Sequence, residues 1–159
     1  MGSITNHSTR TLGFGKVLRR FTLLIVLGLL LIGCDSTESL PPLPEAIQKQ
    51  QAAFNAKDVA ALGEGVTDDF VWYAVREGTT SVEVAGREAL MEGMRAYFTS
   101  LPSVQSSIES FSVLQDQVAV VERVSWTAAD GTPRTQAAMA VYLLRENAIK
   151  TVWYFEEVP

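Results

Sequence analysis

The stretch after Pro102 does most to restrict the fold. From Val104 to Glu156 the residues read as strands, cut by turn signals at Asp116-Gln117, Ala129-Asp130-Gly131-Thr132 and Glu146-Asn147. The spacing predicts four strands: Ile108 to Leu114, Val118 to Ala128, Thr135 to Arg145 and Ile149 to Glu156. The Asp-Gly pair is a hairpin signal. A meander of this kind is antiparallel, and at least one of its faces must be covered. The cover lies earlier in the chain. Pro44 suits the first turn of a helix and Glu45 its positive end. Ala46, Ile47, Gln51, Ala53, Phe54 and Ala56 then follow at helical spacing. Asp58 is placed to cap a short second helix, Val59 to about Glu64, which Gly63 and Gly65 end. Phe70 to Val75 reads as a strand, Gly78-Thr79-Thr80 as a turn, and Val82 to Ala85 as a second strand. Gly86 opens a third helix with Leu90, Met94, Tyr97, Phe98 and Leu101 at steps of three and four, and Pro102 closes it. Helices segregated from a meander of strands mean an α+β fold.

The N-terminus carries a different signal. Arg10, Lys16, Arg19 and Arg20 precede an apolar run from Phe21 to Ile32, and no acid occurs before Asp35. Phe21 to Gly33 is 13 residues, short of the roughly 20 needed to span hydrocarbon. Leu31-Ile32-Gly33-Cys34 follows the pattern of a secretory cleavage site and resembles a bacterial lipoprotein signal with its lipobox. The resemblance implies cleavage before Cys34, lipid on that residue, and a place in the cell envelope facing the periplasm or the exterior. Asp35, next to the lipidated residue, resembles an inner-membrane retention signal. The chain therefore divides into a signal (1–33), the lipidated Cys with a Pro-rich tether (34–43) and one domain (44–159). Stable attachment needs more than one acyl chain, which this modification supplies.

Composition after the signal narrows the chemistry. Four of the 13 Lys and Arg residues fall before Cys34 and all 18 Asp and Glu after it, an excess of nine acids. That balance disfavours nucleic acid, which is held largely by Lys and Arg on phosphates. Cys34 is the sole Cys and His7 the sole His. Residues 44–159 thus hold neither imidazole nor thiol. Zinc sites, Ser-His-Asp triads and His general bases are excluded there, no cofactor is expected, and carboxylate, Tyr and Arg chemistry is left.

Several segments in this order are similar to the nuclear transport factor 2-like superfamily, and within it to the SnoaL-like group. They are Ala53-Phe54-Asn55-Ala56-Lys57-Asp58-Val59, Thr67-Asp68-Asp69-Phe70-Val71-Trp72, Gly86-Arg87-Glu88-Ala89-Leu90, and Ile149 to Glu156. The resemblance implies a cone: a curved antiparallel sheet wrapped around the N-terminal helices, also called a cystatin-like α+β roll, with a pocket in its mouth. It also implies a homodimer through the outer side of the sheet. Fold alone does not fix activity. The places of the ketosteroid isomerase-like catalytic groups fall near Gln50, Ala74 and Ala140, none of which can do that work. The His-dependent dehydratase and cyclase patterns are absent.

Strand parity nominates the pocket residues, since alternate side chains share a face. Phe70, Trp72 and Ala74 point inward, with Glu122, Val124 and Trp126, then Ala138, Ala140 and Tyr142, then Val152, Tyr154 and Glu156. Trp72, Trp126, Tyr142 and Tyr154 are the ligand-binding candidates, and the Ala residues leave room for a small molecule. Glu122 and Glu156 with Tyr154 are the catalytic candidates, as an acid–base pair. The alternative is that the carboxylates are structural or solvated. Asp68-Asp69 reads as a solvated pair before the first strand. Under the same parity Val121, Val141, Leu143, Trp153 and Phe155 face outward, an apolar patch that a monomer rarely exposes. It would serve a dimer, or an interaction subunit docked on another envelope protein; if the parity is reversed, these residues make the core.

Overall fold

A computed structural model describes residues 41–156 of the chain. The expected signal and Cys34, the expected lipidation site, lie outside the described residues. Among the described residues there are three helices: α1 (Glu45–Ala56), α2 (Val59–Glu64) and α3 (Arg87–Ser100). Six strands complete the domain: β1 (Val66–Arg76), β2 (Thr79–Ala85), β3 (Gln105–Leu114), β4 (Gln117–Thr127), β5 (Pro133–Arg145) and β6 (Ala148–Phe155). The strands lie in the order β2-β1-β6-β5-β4-β3 in one sheet. The fold is the expected α+β cone, a curved and unclosed sheet around the helices.

One pairing departs from the antiparallel expectation. β6 runs parallel to β1, with Trp72 beside Val152 and Ala74 beside Tyr154. Residues so far apart in the chain can meet in parallel because α3 and four strands lie between them, long enough for a crossover. Every strand pairing except β4–β5 carries a register shift, such as those between Trp72 and Tyr73 and between Leu143 and Leu144. Such irregularities bend a sheet and increase its twist, and here they curl it over the helices. The β4–β5 hairpin turns where expected: Gly131 has φ +81°, and Asp130 Oδ1 accepts from Thr132 N at 2.9 Å.

The core sits between the concave face and the helices. Ile47, Leu62, Leu90, Met94 and Phe98 from the helices meet Val66, Val118, Val120, Ala140 and Ile149 from the sheet, all buried. Asp58 caps α2 as its position suggests, accepting from Ala61 N at 3.0 Å. Lys57, which ends α1, takes the left-handed conformation at φ 60°. Its ammonium donates to the carbonyl of Val104 and lies 5.6 Å from the centre of the Phe98 ring.

A second tie runs beside it. Asn55 Nδ2 donates to the carbonyl of Ser106 at 2.9 Å, and Asn55 Oδ1 accepts from Ser106 N at 2.7 Å. The side-chain amide imitates a neighbouring strand and fastens the end of α1 to the start of β3. Ser106 is buried, so removing the amide leaves a backbone donor and acceptor without partners. Asn55→Ala is expected to cost about 2–3 kcal/mol, read as a lowered urea midpoint. Asn55→Asp keeps an acceptor for Ser106 N and is expected to lose less.

Candidate functional site

The cone encloses a cavity of about 400 Å³. All three helices contribute, through Gln50 and Phe54 of α1, Leu62 of α2 and Tyr97 of α3. The sheet supplies Trp72 and Ala74 from β1, Ala138 and Tyr142 from β5, and Val152 and Tyr154 from β6. Glu122 enters from β4 and, among the described residues, is the one acid lining the interior; Arg76 and Glu83 form an ion pair of 3.3 Å between half-exposed side chains at the rim.

Register explains how Glu122 acquires its partners. Glu122 pairs with Ala138 across β4–β5, and Ala140 pairs with Tyr154 across β5–β6. The strand between Glu122 and Tyr154 therefore offers only methyl groups at the crossing. A larger side chain there would fill the space through which the Tyr154 phenol reaches over β5. The phenol donates to Glu122 Oε2, while Ser106 Oγ donates to Oε1. Tyr154 has only one proton, so the contact of 2.8 Å between the Tyr142 and Tyr154 hydroxyls must run from Tyr142 to Tyr154. The network is one directed chain, Tyr142 to Tyr154 to Glu122, met from the other side by Ser106. Trp72 stands beside it, its ring 5.3 Å from that of Tyr154. Its indole N–H is buried without a hydrogen-bond partner, as is Gln50 Oε1.

Four of the sequence candidates, Trp72, Glu122, Tyr142 and Tyr154, are brought together. Two are not. Trp126 lies one pleat beyond Val124 and packs against the core without lining the cavity. Glu156 follows the last residue of β6, is exposed, and also does not line it. The strand ends one residue too early to carry Glu156 inward, so the acid pair does not converge. Gln50 and Ala74 do line the cavity and Ala140 is buried. Sequence reading missed Ser106, Tyr97 and the tie from Asn55. Asp68 and Asp69 serve as surface ion-pair partners, Asp68 for Arg87 at 2.8 Å, and Asp69 for Arg145 and Lys150 at 2.7 and 2.9 Å. Those bonds and one from Thr67 hold the Asp69 carboxyl well below the usual range. Among the described residues no group of three or more His, Cys, Asp or Glu side chains is placed to hold a metal ion.

Burial, and after it the negative charge of Glu122, pushes both Tyr142 and Tyr154 well above 10.0. Tyr97 moves up for the same two reasons. These phenols stay protonated through the neutral range and remain donors to the chain. Neutral phenols are favoured in the folded state, whereas the unfolded chain ionises near pH 10. The stability they confer is therefore complete below pH 10 and lost as pH rises through their folded values. Tyrosinate absorbance from Tyr142 and Tyr154 is expected to appear only with alkaline unfolding. Glu122→Gln removes the repelling charge and is expected to bring their ionisation to lower pH.

The comparisons fit this geometry. The family model for the SnoaL-like domain matches residues 47–152. A cystatin-fold protein of uncharacterised function from Novosphingobium aromaticivorans is similar at 26% identity and TM-score 0.62, over 72% of this chain and 100% of that one. A protein with a ketosteroid isomerase-like fold from Catenulispora acidiphila, solved with trimethylamine, has 19% identity and TM-score 0.62, over 72% and 87%. IdmH, a candidate polyketide cyclase from Streptomyces antibioticus, has 18% identity and TM-score 0.60, over 70% and 88%. At these identities the last two speak for the fold alone. No curated protein sequence matches the chain. With a model matched from α1 to β6 and the same cone in solved relatives, this chain belongs to the SnoaL-like domain family.

Proposed function

We propose that this SnoaL-like domain is a binding module for a small, largely apolar molecule. Lipid on Cys34 would hold it in the bacterial envelope, with Asp35 favouring the inner membrane. The observation that carries the binding reading is the cavity of about 400 Å³, apolar on most sides, with one carboxylate fixed by hydroxyl groups. Ligand pockets commonly have this size and this mixture of apolar wall and few polar groups. Binding rather than turnover is favoured because the ketosteroid isomerase-like places hold Gln50, Ala74 and Ala140, and because Glu156 stands apart from Glu122. A carboxylate-dependent isomerase or hydrolase is the second reading, with Glu122 as base and Tyr154 as its partner.

Self-association is part of the proposal. Ala119, Val141, Trp153, Tyr73 and Val82 form one row across the outer face, from β4 to β2. Tyr73 and Trp153 stack with ring centres 5.8 Å apart, and Val82 and Met139 are 57% and 46% exposed. A second copy offers the same row, which a twofold contact makes self-complementary.

Native mass spectrometry of the purified full chain tests both points. The expected spectrum is a dimer in which each chain retains one small molecule. Ala138→Trp, which fills the cavity, is expected to release that molecule with the circular dichroism unchanged. Trp153→Glu is expected to give monomers that keep it. A ligand converted by the wild type but only held by Glu122→Gln would favour the enzymatic reading.

A further inference from the structure

The ion pairs among the described residues lie on the surface, as in Lys49–Glu45, Arg87–Asp68 and Arg145–Asp69. Glu122 is different. It is half-buried in the cavity, and among the described residues no ion pair includes it. Its two oxygens are held by the neutral hydroxyls of Ser106 and Tyr154. Those bonds orient the carboxylate without cancelling its charge. Each oxygen keeps a lone pair. A carboxylate partly withdrawn from water without a countercharge is costly, and among the described residues no basic side chain forms an ion pair with it. Arg76, the basic residue that lines the cavity, sits at the rim beside Glu83.

The surroundings of Glu122 add to its attraction for positive charge. Aromatic rings come from three sides: Tyr97 on α3, Tyr142 on β5, and Tyr154 on β6 with Trp72 packed on it. Phe54 extends this wall, its ring 6.1 Å from that of Tyr97. The faces of such rings carry negative potential and bind ammonium groups. Protons of the Tyr142, Tyr154 and Ser106 hydroxyls are all committed within the network, so its free positions accept rather than donate.

We propose that the occupant of this cavity is an organic ammonium cation, its charged nitrogen against Glu122 and its apolar body along Trp72, Phe54 and Ile108. The inference rests on the small-molecule binding described above and narrows its chemical class. An anionic or carboxylate-bearing ligand would meet Glu122 unfavourably. A neutral ligand would leave the carboxylate uncompensated.

The test compares a cation with its uncharged carbon isostere. Choline and 3,3-dimethylbutan-1-ol have the same shape and differ in the charge of one atom. Titration of each into the full chain, followed by ligand-detected NMR, reads both affinities. Choline is expected to bind about tenfold tighter or better, and Glu122→Gln is expected to bring the two together by weakening choline alone. Equal affinities in the wild type would overturn cation recognition and leave the small-molecule pocket intact. Binding of neither, with no retained molecule in the native mass spectrum, would overturn both. The wild-type comparison needs no variant, so a poorly folding Glu122→Gln cannot obscure the result.

Discussion

The amide of Asn55 joins the helical half of the domain to the sheet. Its two hydrogen bonds to the backbone of Ser106 fix where β3 begins relative to the end of α1. Ser106 then points its hydroxyl at Glu122, which receives Tyr154 on its other oxygen. The position of a carboxylate inside the cone is thus set by a contact outside it. Lys57 strengthens the same corner by donating to Val104 just before β3. Without this corner the curved sheet could still pack its apolar residues, but Tyr154 alone would be left to orient Glu122.

The cavity itself exists because of what is missing from β5. Ala138 and Ala140 occupy positions where a strand would ordinarily place large residues toward its core. The space they leave is bridged by Tyr154 and walled by Trp72. A network in which every phenol proton is committed is rigid, and satisfied polar networks specify a unique arrangement. The indole N–H of Trp72, buried beside that network without a hydrogen-bond partner, is the exception.

Much of this was legible from the chain. Helix α2 begins at Val59 and ends at Glu64 because Asp58 caps it and glycines follow, which are local signals. Strand parity put Trp72, Glu122, Tyr142 and Tyr154 on one face because period-two alternation survives the bends of these strands. Where it failed, the cause was an end or an edge. Glu156 lies past the last paired residue, and Trp126 lies one pleat beyond the cavity wall. Phe155, assigned to the outer face, also borders the cavity at the end of β6. The tie between Asn55 and Ser106 was not legible, since no local pattern links an Asn to a Ser 51 residues away. Nor was the parallel pairing of β1 with β6, because hydrophobic alternation does not reveal the direction of a neighbour.

That parallel pairing also orders events in time. β1 has β2 on one side, and its other edge stays open until β6, the final strand, arrives. Joining strands this distant in sequence is slow compared with closing hairpins. During synthesis the open edge and the unroofed cavity wall would persist until β6 emerges. Loss of β6 would therefore leave the cone unzipped along its middle rather than trimmed at one rim.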